Sequence, residues 1–234
     1  MNAALPGAWR LYARATAFVL AVLFAVGAAG HAVAHTLPWM LVLTPGFLLM
    51  TSAAVAAPSL AADGRRFVLW AAGAYALTFA AEAVGVATGA VFGEYGYGPT
   101  LGWKLLGVPV IIAFNWVMVV NGAVCIAGRI LASRAGAGRR FALPLLAGTI
   151  AVAFDWVMEP AAIRLDYWTW AGGGIPLQNY AAWFVLAAVL AAVHPRQLQR
   201  ACELGTTGRL AGLYVILQTA FFGVLRLVWH FQGS

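Results

Sequence analysis

Charged residues are scarce in this chain, and their scarcity indicates its class. Asp, Glu, Lys and Arg make up only 9% of its 234 residues, whereas hydrophobic residues make up 63%. A soluble domain usually carries about 25% charged and about 45–50% apolar residues. This composition supplies too few polar residues to cover the surface of a folded soluble protein, and it is too apolar for a disordered chain. The sequence therefore predicts an integral membrane protein.

Other residue types are too few for several classes of protein. The two cysteines, Cys125 and Cys202, lack a CxxC spacing, so we expect neither a disulfide framework nor a zinc site. Four histidines are too few for a histidine-rich di-iron hydroxylase, and we expect His31 and His35 to be structural or interfacial. The only lysine, Lys104, lies in a predicted loop, so no retinal Schiff base is expected.

Cofactor-binding motifs are missing as well. No DxxxD or DDxxD run that would hold a magnesium diphosphate occurs. The glycine-rich segment 93–99 lacks the GxGxxG spacing and the strand context of a nucleotide-binding loop. We therefore expect no metal and no cofactor. The excess of 14 Lys and Arg over 7 Asp and Glu falls mainly in short loops, which predicts membrane orientation and no nucleic-acid partner.

Apolar segments long enough to cross a bilayer recur along the chain. A hydrocarbon core of about 30 Å needs about 20 helical residues, because lipid offers the backbone no other hydrogen-bond partner. The first segment is long for the apolar run of a signal peptide, so we expect a retained helix. We predict an all-α membrane protein with one domain over residues 1–234. Its seven predicted spans are 15–33, 39–57, 67–90, 105–127, 141–161, 178–194 and 209–230.

The arginines predict the orientation of this bundle. Eleven basic residues lie at the N-terminus or in the loops after spans two, four and six. Only Lys104, Arg164 and Arg226 lie towards the other side. The positive-inside rule then places the N-terminus in the cytoplasm and the C-terminus outside. We expect a multi-pass protein of the plasma membrane.

Three acidic residues are predicted to lie inside the membrane, in its outer third. At 1.5 Å per residue, Glu82 and Asp155 lie roughly 24 Å and 22 Å along their helices from the cytoplasmic side, and Glu159 lies about 6 Å further. Such a group costs about 2.5–3.5 kcal/mol and normally faces inward. One interpretation is structural, with an acid paired to an arginine such as Arg226. The other is that one acid keeps a proton beside a proton acceptor, an arrangement that general acid–base catalysis requires.

Features close to these acids support a specialised site. Pro160 directly follows Glu159 and frees helix carbonyls. Segments 91–104 and 162–178 are rich in aromatic residues and glycine, and we predict that they are interfacial loops at the outer face. Their aromatics form either an interfacial belt or the wall of a pocket that stabilises a cation. Trp116 and Trp156 lie within spans, where a belt explains them less well.

Several separated segments resemble the membrane carotenoid biosynthesis family. They are EAVGVATGAVFGEYGYGP at 82–99, GVP at 107–109 leading to Trp116, DWVMEPAA at 155–162, WTW at 168–170 and IPLQNYAAW at 175–183. The resemblance covers roughly residues 65–195, with its motifs in the same order. It implies the reaction of CruF-type carotenoid 1,2-hydratases, in which water adds across the terminal double bond of an acyclic carotenoid end to give a tertiary alcohol. The implied substrates have linear ends of the γ-carotene, lycopene or bacterioruberin-precursor kind.

The residues fit that chemistry. Protonation of a trisubstituted alkene leaves a tertiary cation, and its hydration needs a protonated carboxylic acid, aromatic faces and a base that directs water. We hypothesise that Asp155 or Glu159 donates the proton and that Glu82 or the other member of the pair activates water. The further residues predicted to bind substrate or water are Tyr95, Asn115, Trp116, Trp156, Gln178 and Asn179.

Two alternatives stay open beside this cofactor-independent hydro-lyase. A membrane-bound end-group cyclase would form the same kind of cation and lose a proton internally, giving a ring of unchanged mass. A carotenoid carrier or a proton-coupled transporter would use the same buried acids without catalysis. The expected partners are a carotenoid within the membrane and the lipid bilayer, and the sequence predicts no particular oligomeric state.

Overall fold

Helices build almost all of the described chain. The computed structural model describes residues 7–134 and 136–232. The helices within these residues are α1 (Gly7–Ala32), α2 (Leu37–Thr88), α3 (Val110–Ile130), α4 (Gly136–Arg164), α5 (Leu177–Ala192), α6 (Arg196–Leu204) and α7 (Thr206–Phe231). Four short strands are β1 (Tyr95–Tyr97), β2 (Lys104–Leu105), β3 (Val108–Pro109) and β4 (Trp168–Trp170). Among the described residues, α1, α2, α3, α4 and α7 are long and apolar enough to cross a membrane, which confirms the predicted helical membrane fold.

Helix α2 folds back on itself. Its 52 residues would extend about 78 Å as a straight helix, far beyond one bilayer. Asp63 interrupts it with non-helical angles, φ −160° and ψ 76°, and its carboxylate accepts a hydrogen bond from Arg66 at 2.7 Å. Thr44 in the first half and Glu82 in the second half line the same cavity. The chain therefore reverses near Asp63, between the predicted spans 39–57 and 67–90.

The other helices overlap the remaining predicted spans but differ in their ends, and α1, for example, begins at Gly7 and not at residue 15. The span predicted to start at residue 105 begins at Val110, because Lys104 and Leu105 pair with Pro109 and Val108 as the hairpin β2–β3. Helix α5 is apolar but has only 16 residues. Counting α2 twice and including α5 would give the seven predicted crossings, and this number stays a prediction. Helix α6 was not predicted, because its sequence is short and mostly polar.

Helices α1 and α7 run parallel to each other. Phe24 packs against Tyr214, with ring centroids 6.0 Å apart, and His31 packs one to two turns further along against Phe221, at 5.1 Å. Arg10 near the start of α1 and Arg209 near the start of α7 line one cleft. The predicted seven alternating crossings would give this arrangement, because the first and the seventh would then point the same way. Which side faces the cytoplasm stays a prediction.

Helix α3 lies at the centre of the bundle, where Val119, Val120 and Ala123 are fully buried. Gly122 allows α3 to lie directly against α7, since a Cβ there would meet the Ala211 carbonyl at 2.6 Å. Small residues permit this close approach in lipid, where packing replaces the hydrophobic effect between helices.

The two cysteines are joined, so the expectation that they form no disulfide was wrong. Cys125 on α3 and Cys202 on α6 are bonded, with their Cα atoms 4.9 Å apart. They are separated by 77 residues, and α6, which packs against α3, brings them together. A search for short CxxC spacing misses a pair formed in this way.

Candidate active site

A two-stranded antiparallel sheet joins the segments that follow α2 and α4. Tyr95 pairs with Trp170, and Tyr97 pairs with Trp168. Successive side chains of a strand point to opposite faces, so these four aromatic rings share one face. That face is turned to the bundle, because the residues between them are exposed while both tryptophans are buried. We call the end of the bundle that carries this sheet the strand end.

Glu82, near the end of α2, accepts three side-chain hydrogen bonds. The hydroxyls of Tyr95 and Tyr97 donate to its Oε2 at 2.5 Å and 2.7 Å, and Trp116 Nε1 donates to Oε1 at 2.8 Å. Gly85 leaves room for this arrangement, since a Cβ there would lie 3.0 Å from the Tyr95 hydroxyl. Three neutral donors surround this carboxyl group, and each would stabilise its charged form.

Glu159, near the end of α4, is held in the same manner. The indole Nε1 groups of Trp168 and Trp170 donate to its Oε2 at 3.0 Å and 3.1 Å. Asn179 Nδ2, from the first turn of α5, donates to Oε1 at 3.2 Å. Each strand of the sheet thus supplies two donors to one glutamate: β1 to Glu82 and β4 to Glu159.

Asp155 lies one helical turn before Glu159 and shares its amide partner. Asn179 Nδ2 also donates to Asp155 Oδ2, at 2.8 Å. The other oxygen, Oδ1, is buried and has no hydrogen-bond partner among the described residues. Glu82 and Glu159 both line the central cavity, whereas Asp155 lies behind Asn179, away from the lining that the described residues form.

The two tyrosines that bind Glu82 remain protonated donors at neutral pH. They belong to β1, outside the membrane-spanning helices. Burial, and then the charge of Glu82, raises the pKa of Tyr95 and Tyr97 above the ordinary value of a phenol. Burial also raises the pKa of the nearby Tyr167 to about 12. Deprotonation therefore removes none of these hydroxyl donors near pH 7.

A cavity of about 250 Å³ lies between the helices at the strand end. Its polar lining includes Glu82, Glu159, Asn115 and Asn179, and Trp116 is one of its aromatic walls. Apolar residues of α1 and of the first half of α2 complete the lining, and some of them are exposed on the outside of the bundle. The cavity therefore reaches the lipid-facing surface.

Three polar atoms beside this cavity are buried and have no hydrogen-bond partner among the described residues. They are His31 Nε2, Asn115 Oδ1 and Gln218 Nε2. His31 Nδ1 lies 2.7 Å from the Gly27 carbonyl, which fixes Nδ1 as the donor and leaves Nε2 as an acceptor. Buried polar atoms normally find a partner, so these positions suit water molecules or a polar group of a ligand.

Two predicted site residues lie away from the cavity. Trp156 is 57% exposed, with the Arg226 guanidinium 5.2 Å from its ring centre. It follows Asp155 directly, and consecutive helix residues face different directions. Gln178 donates to the carbonyls of Gly89 and Ala90 at 3.3 Å and 2.7 Å, which joins α5 to the end of α2. Neither is among the described residues that line the cavity, and their contact with substrate stays a prediction.

Arg226 donates to backbone carbonyls and forms no ion pair with an acid among the described residues. Its Nη1 donates to the carbonyls of Trp156 and Val157 at 3.2 Å and 3.4 Å. Pro160 has no N–H for the Trp156 carbonyl, four residues earlier, so Arg226 supplies the missing donor. The alternative in which Arg226 neutralises one of the three acids was therefore wrong.

Sequence reasoning missed the donor function of Tyr97, Trp168 and Trp170, which it placed in an interfacial belt or a pocket wall. The signal was the alternation in YGY and WTW, since a period of two is typical of strands with one buried face. Within the described ranges, no group of three or more His, Cys, Asp and Glu side chains is arranged to hold a metal ion.

The fold and the cavity define a multi-pass helical membrane protein with a buried carboxylate site. The chain belongs to the carotenoid biosynthesis protein family, whose profile matches residues 43–232. It is 34% identical over 116 residues to a bisanhydrobacterioruberin hydratase of Haloarcula japonica. That match covers 48% of this chain and only 39% of the relative. No solved structure matches the chain.

Proposed function

We propose that this protein is a carotenoid 1,2-hydratase of the plasma membrane, a cofactor-independent hydro-lyase. It adds water across the terminal double bond of an acyclic carotenoid end and gives a tertiary alcohol. The observation that carries this proposal is the pair of glutamates, Glu82 and Glu159, that face one small apolar cavity. The family and a relative that is named a hydratase support it.

The proton comes from the pair formed by Glu159 and Asp155. Two carboxyl groups that share one amide donor, Asn179, are most stable when one of them carries a proton, because two adjacent charges repel. Glu159 lines the cavity and donates this proton to the less substituted alkene carbon. Asp155 shares Asn179 with Glu159, and a charge on Asp155 favours the protonated form of Glu159, so Asp155 is a positioning residue.

Glu82 is the base that takes a proton from the attacking water. Its three donors stabilise the charged carboxylate before the reaction begins. Trp116, which also binds Glu82, stacks on Trp183 with ring centroids 3.6 Å apart. These rings line the cavity, and an aromatic face stabilises the tertiary cation that forms between the two proton transfers.

The unpartnered polar atoms favour hydration over cyclisation. A cyclase protects its cation from water, and a dry apolar lining serves that purpose. Here His31 and Gln218, only 7% and 3% exposed, face the cavity with an unpartnered acceptor and an unpartnered donor. Such a pair binds water beside the cation.

The size of the cavity indicates how a carotenoid is bound. Its volume of about 250 Å³ lies below the range of about 300–1,000 Å³ found for pockets that enclose drug-sized ligands. Only one end of a long polyene fits, and the rest of the molecule lies in lipid. Linear ends such as those of lycopene and γ-carotene suit this geometry.

The test is expression of the full chain in a lycopene-producing host, followed by mass spectrometry of the pigments. We expect a product heavier by one water, and Glu159→Gln should remove it. Glu94→Gln is the matched control, because Glu94 is an exposed acid in the loop before β1. A new pigment of unchanged mass would favour the cyclase. No conversion of lycopene or of supplied γ-carotene would favour a carrier.

A further inference from the structure

We infer that the substrate enters sideways from the bilayer, through a window between α1 and the first half of α2. This inference rests on the proposed function, since it concerns the path to the same cavity. The window is defined by Leu23 and Val26 on α1 and by Leu43 and Phe47 on α2. It assigns to these four positions a role in substrate entry.

Contacts between the two helices close both ends of this window. Towards the end opposite the strands, the Tyr12 hydroxyl donates to the Ala54 carbonyl at 2.9 Å. Towards the strand end, Met40 packs on Gly30 so closely that a Cβ on Gly30 would lie 2.6 Å from the Met40 sulfur. These two contacts show that α1 and the first half of α2 run antiparallel, and that the window residues lie between them.

Between the two contacts the helices do not seal the cavity. Val26 is 61% exposed and Leu43 is 59% exposed, yet both also line the cavity. A side chain that meets both the outside and the cavity lies on the rim of an opening. Leu23, 38% exposed, extends the rim along α1.

The chemistry of the rim identifies its occupant as an apolar chain. All four window residues are hydrocarbon side chains, and the opening faces the region where lipid tails lie. Phe47 on the rim packs edge-on against Phe24 at 5.2 Å, and Phe24 packs against Phe221 at 6.1 Å, which continues the apolar surface inward. A linear polyene therefore reaches the carboxyl groups end first, with its remaining length in the bilayer.

The experiment places a bulky side chain at an exposed position on the rim of the window. In Val26→Trp and Leu43→Trp, we expect conversion of lycopene to fall about tenfold, because a blocked aperture discriminates by size. The matched controls are Val22→Trp and Val42→Trp, on the same helices. These positions are 44% and 74% exposed and are not among the described residues that line the cavity. The controls should convert lycopene as the native chain does.

A short acyclic monoterpene alkene, supplied to the same cells, distinguishes an effect of the substitutions on substrate entry from an effect on the reacting site. Both window variants should hydrate this probe as well as the native chain does. Equal lycopene conversion in window and control variants would overturn the proposal. Loss of the short probe together with lycopene would also overturn it, because the tryptophans would then act on the cavity itself. Failure of the native chain to hydrate either substrate would instead contradict the proposed function.

Discussion

Glu82 and Glu159 are positioned by the same device but have different neighbours. Each accepts two hydrogen bonds from aromatic side chains of one strand, β1 for Glu82 and β4 for Glu159. Glu82 has a third donor of its own, Trp116, whereas Glu159 shares Asn179 with Asp155. The sheet thus fixes where both acids lie. In the proposed mechanism, the neighbouring groups determine which acid holds a proton, so that one fold element would present a base and an acid to the same alkene.

The largest expected effect separates the two glutamates by their products. Glu159→Gln removes the proton donor, so we expect lycopene to be recovered unchanged, with hydration reduced by about 10²–10⁴-fold. Glu82→Gln leaves protonation possible but removes the base for water, so a neighbouring carbon of the cation returns a proton to the Glu159 carboxylate and gives an isomer of unchanged mass. Chromatography with mass spectrometry measures both outcomes. Identical product profiles for the two variants would remove the distinction between acid and base.

A smaller effect should distinguish the shared donor from the unshared one. Asn179→Leu removes the amide that both Glu159 and Asp155 accept from, and we expect hydration to fall about 10–100-fold. Trp116→Phe removes one of three donors to Glu82 and keeps an aromatic ring, so about a threefold to tenfold loss is expected. Conversion per amount of protein measures both. A greater loss for Trp116→Phe would reverse the ranking of the two clusters.

The spans could be predicted because lipid permits few backbone structures. An apolar run of about 20 residues must become a helix, so length and composition sufficed, and the gap between two predicted spans holds the break at Asp63. Helix α6 was missed because only apolar runs were considered. The disulfide was missed because it depends on the packing of α6 against α3.

That the three acids lie near one another could be predicted from the sequence, whereas the direction of each side chain could not, and their catalytic roles stay predictions. Counting residues along helices indicated that Glu82, Asp155 and Glu159 lie at one level, and the structure brings them to the strand end. The rotation of each helix decides which side chain faces the cavity, and it separates Trp156 from Asp155. The aromatic donors depend on the pairing of β1 with β4, and these strands are distant in sequence. Such pairing follows from tertiary packing, which local patterns do not contain.

The common element of the two clusters can be broken without touching either acid. A Cβ on Gly98 would overlap the backbone carbonyl of Asp166, so Gly98→Ala should push β1 away from the segment before β4. We expect a loss of about 1–3 kcal/mol in the free energy of unfolding, the usual effect of overpacking. Gly96→Ala is the control, since nothing lies within 4 Å of the added carbon. Thermal unfolding in detergent measures both, and equal midpoints would show that the sheet tolerates the shift.

The smallest expected effect concerns the kind of donor in each cluster, because phenols titrate and indoles do not. Burial and the charge of Glu82 raise the pKa of Tyr95 and Tyr97, and a raised pKa favours the protonated phenol in the folded state. Their contribution to stability is therefore complete below the unfolded phenol pKa of about 10 and is lost only as pH rises towards the folded pKa. We expect no phenol titration in the hydration rate between pH 7 and about 9.5. Tyr95→Phe should accordingly lower the rate by the same factor across that range. A rate that falls near pH 9 in the native chain, but not in Tyr95→Phe, would show that Tyr95 titrates. The hydrogen bonds of the Glu82 cluster would then be more sensitive to pH than those of the Glu159 cluster.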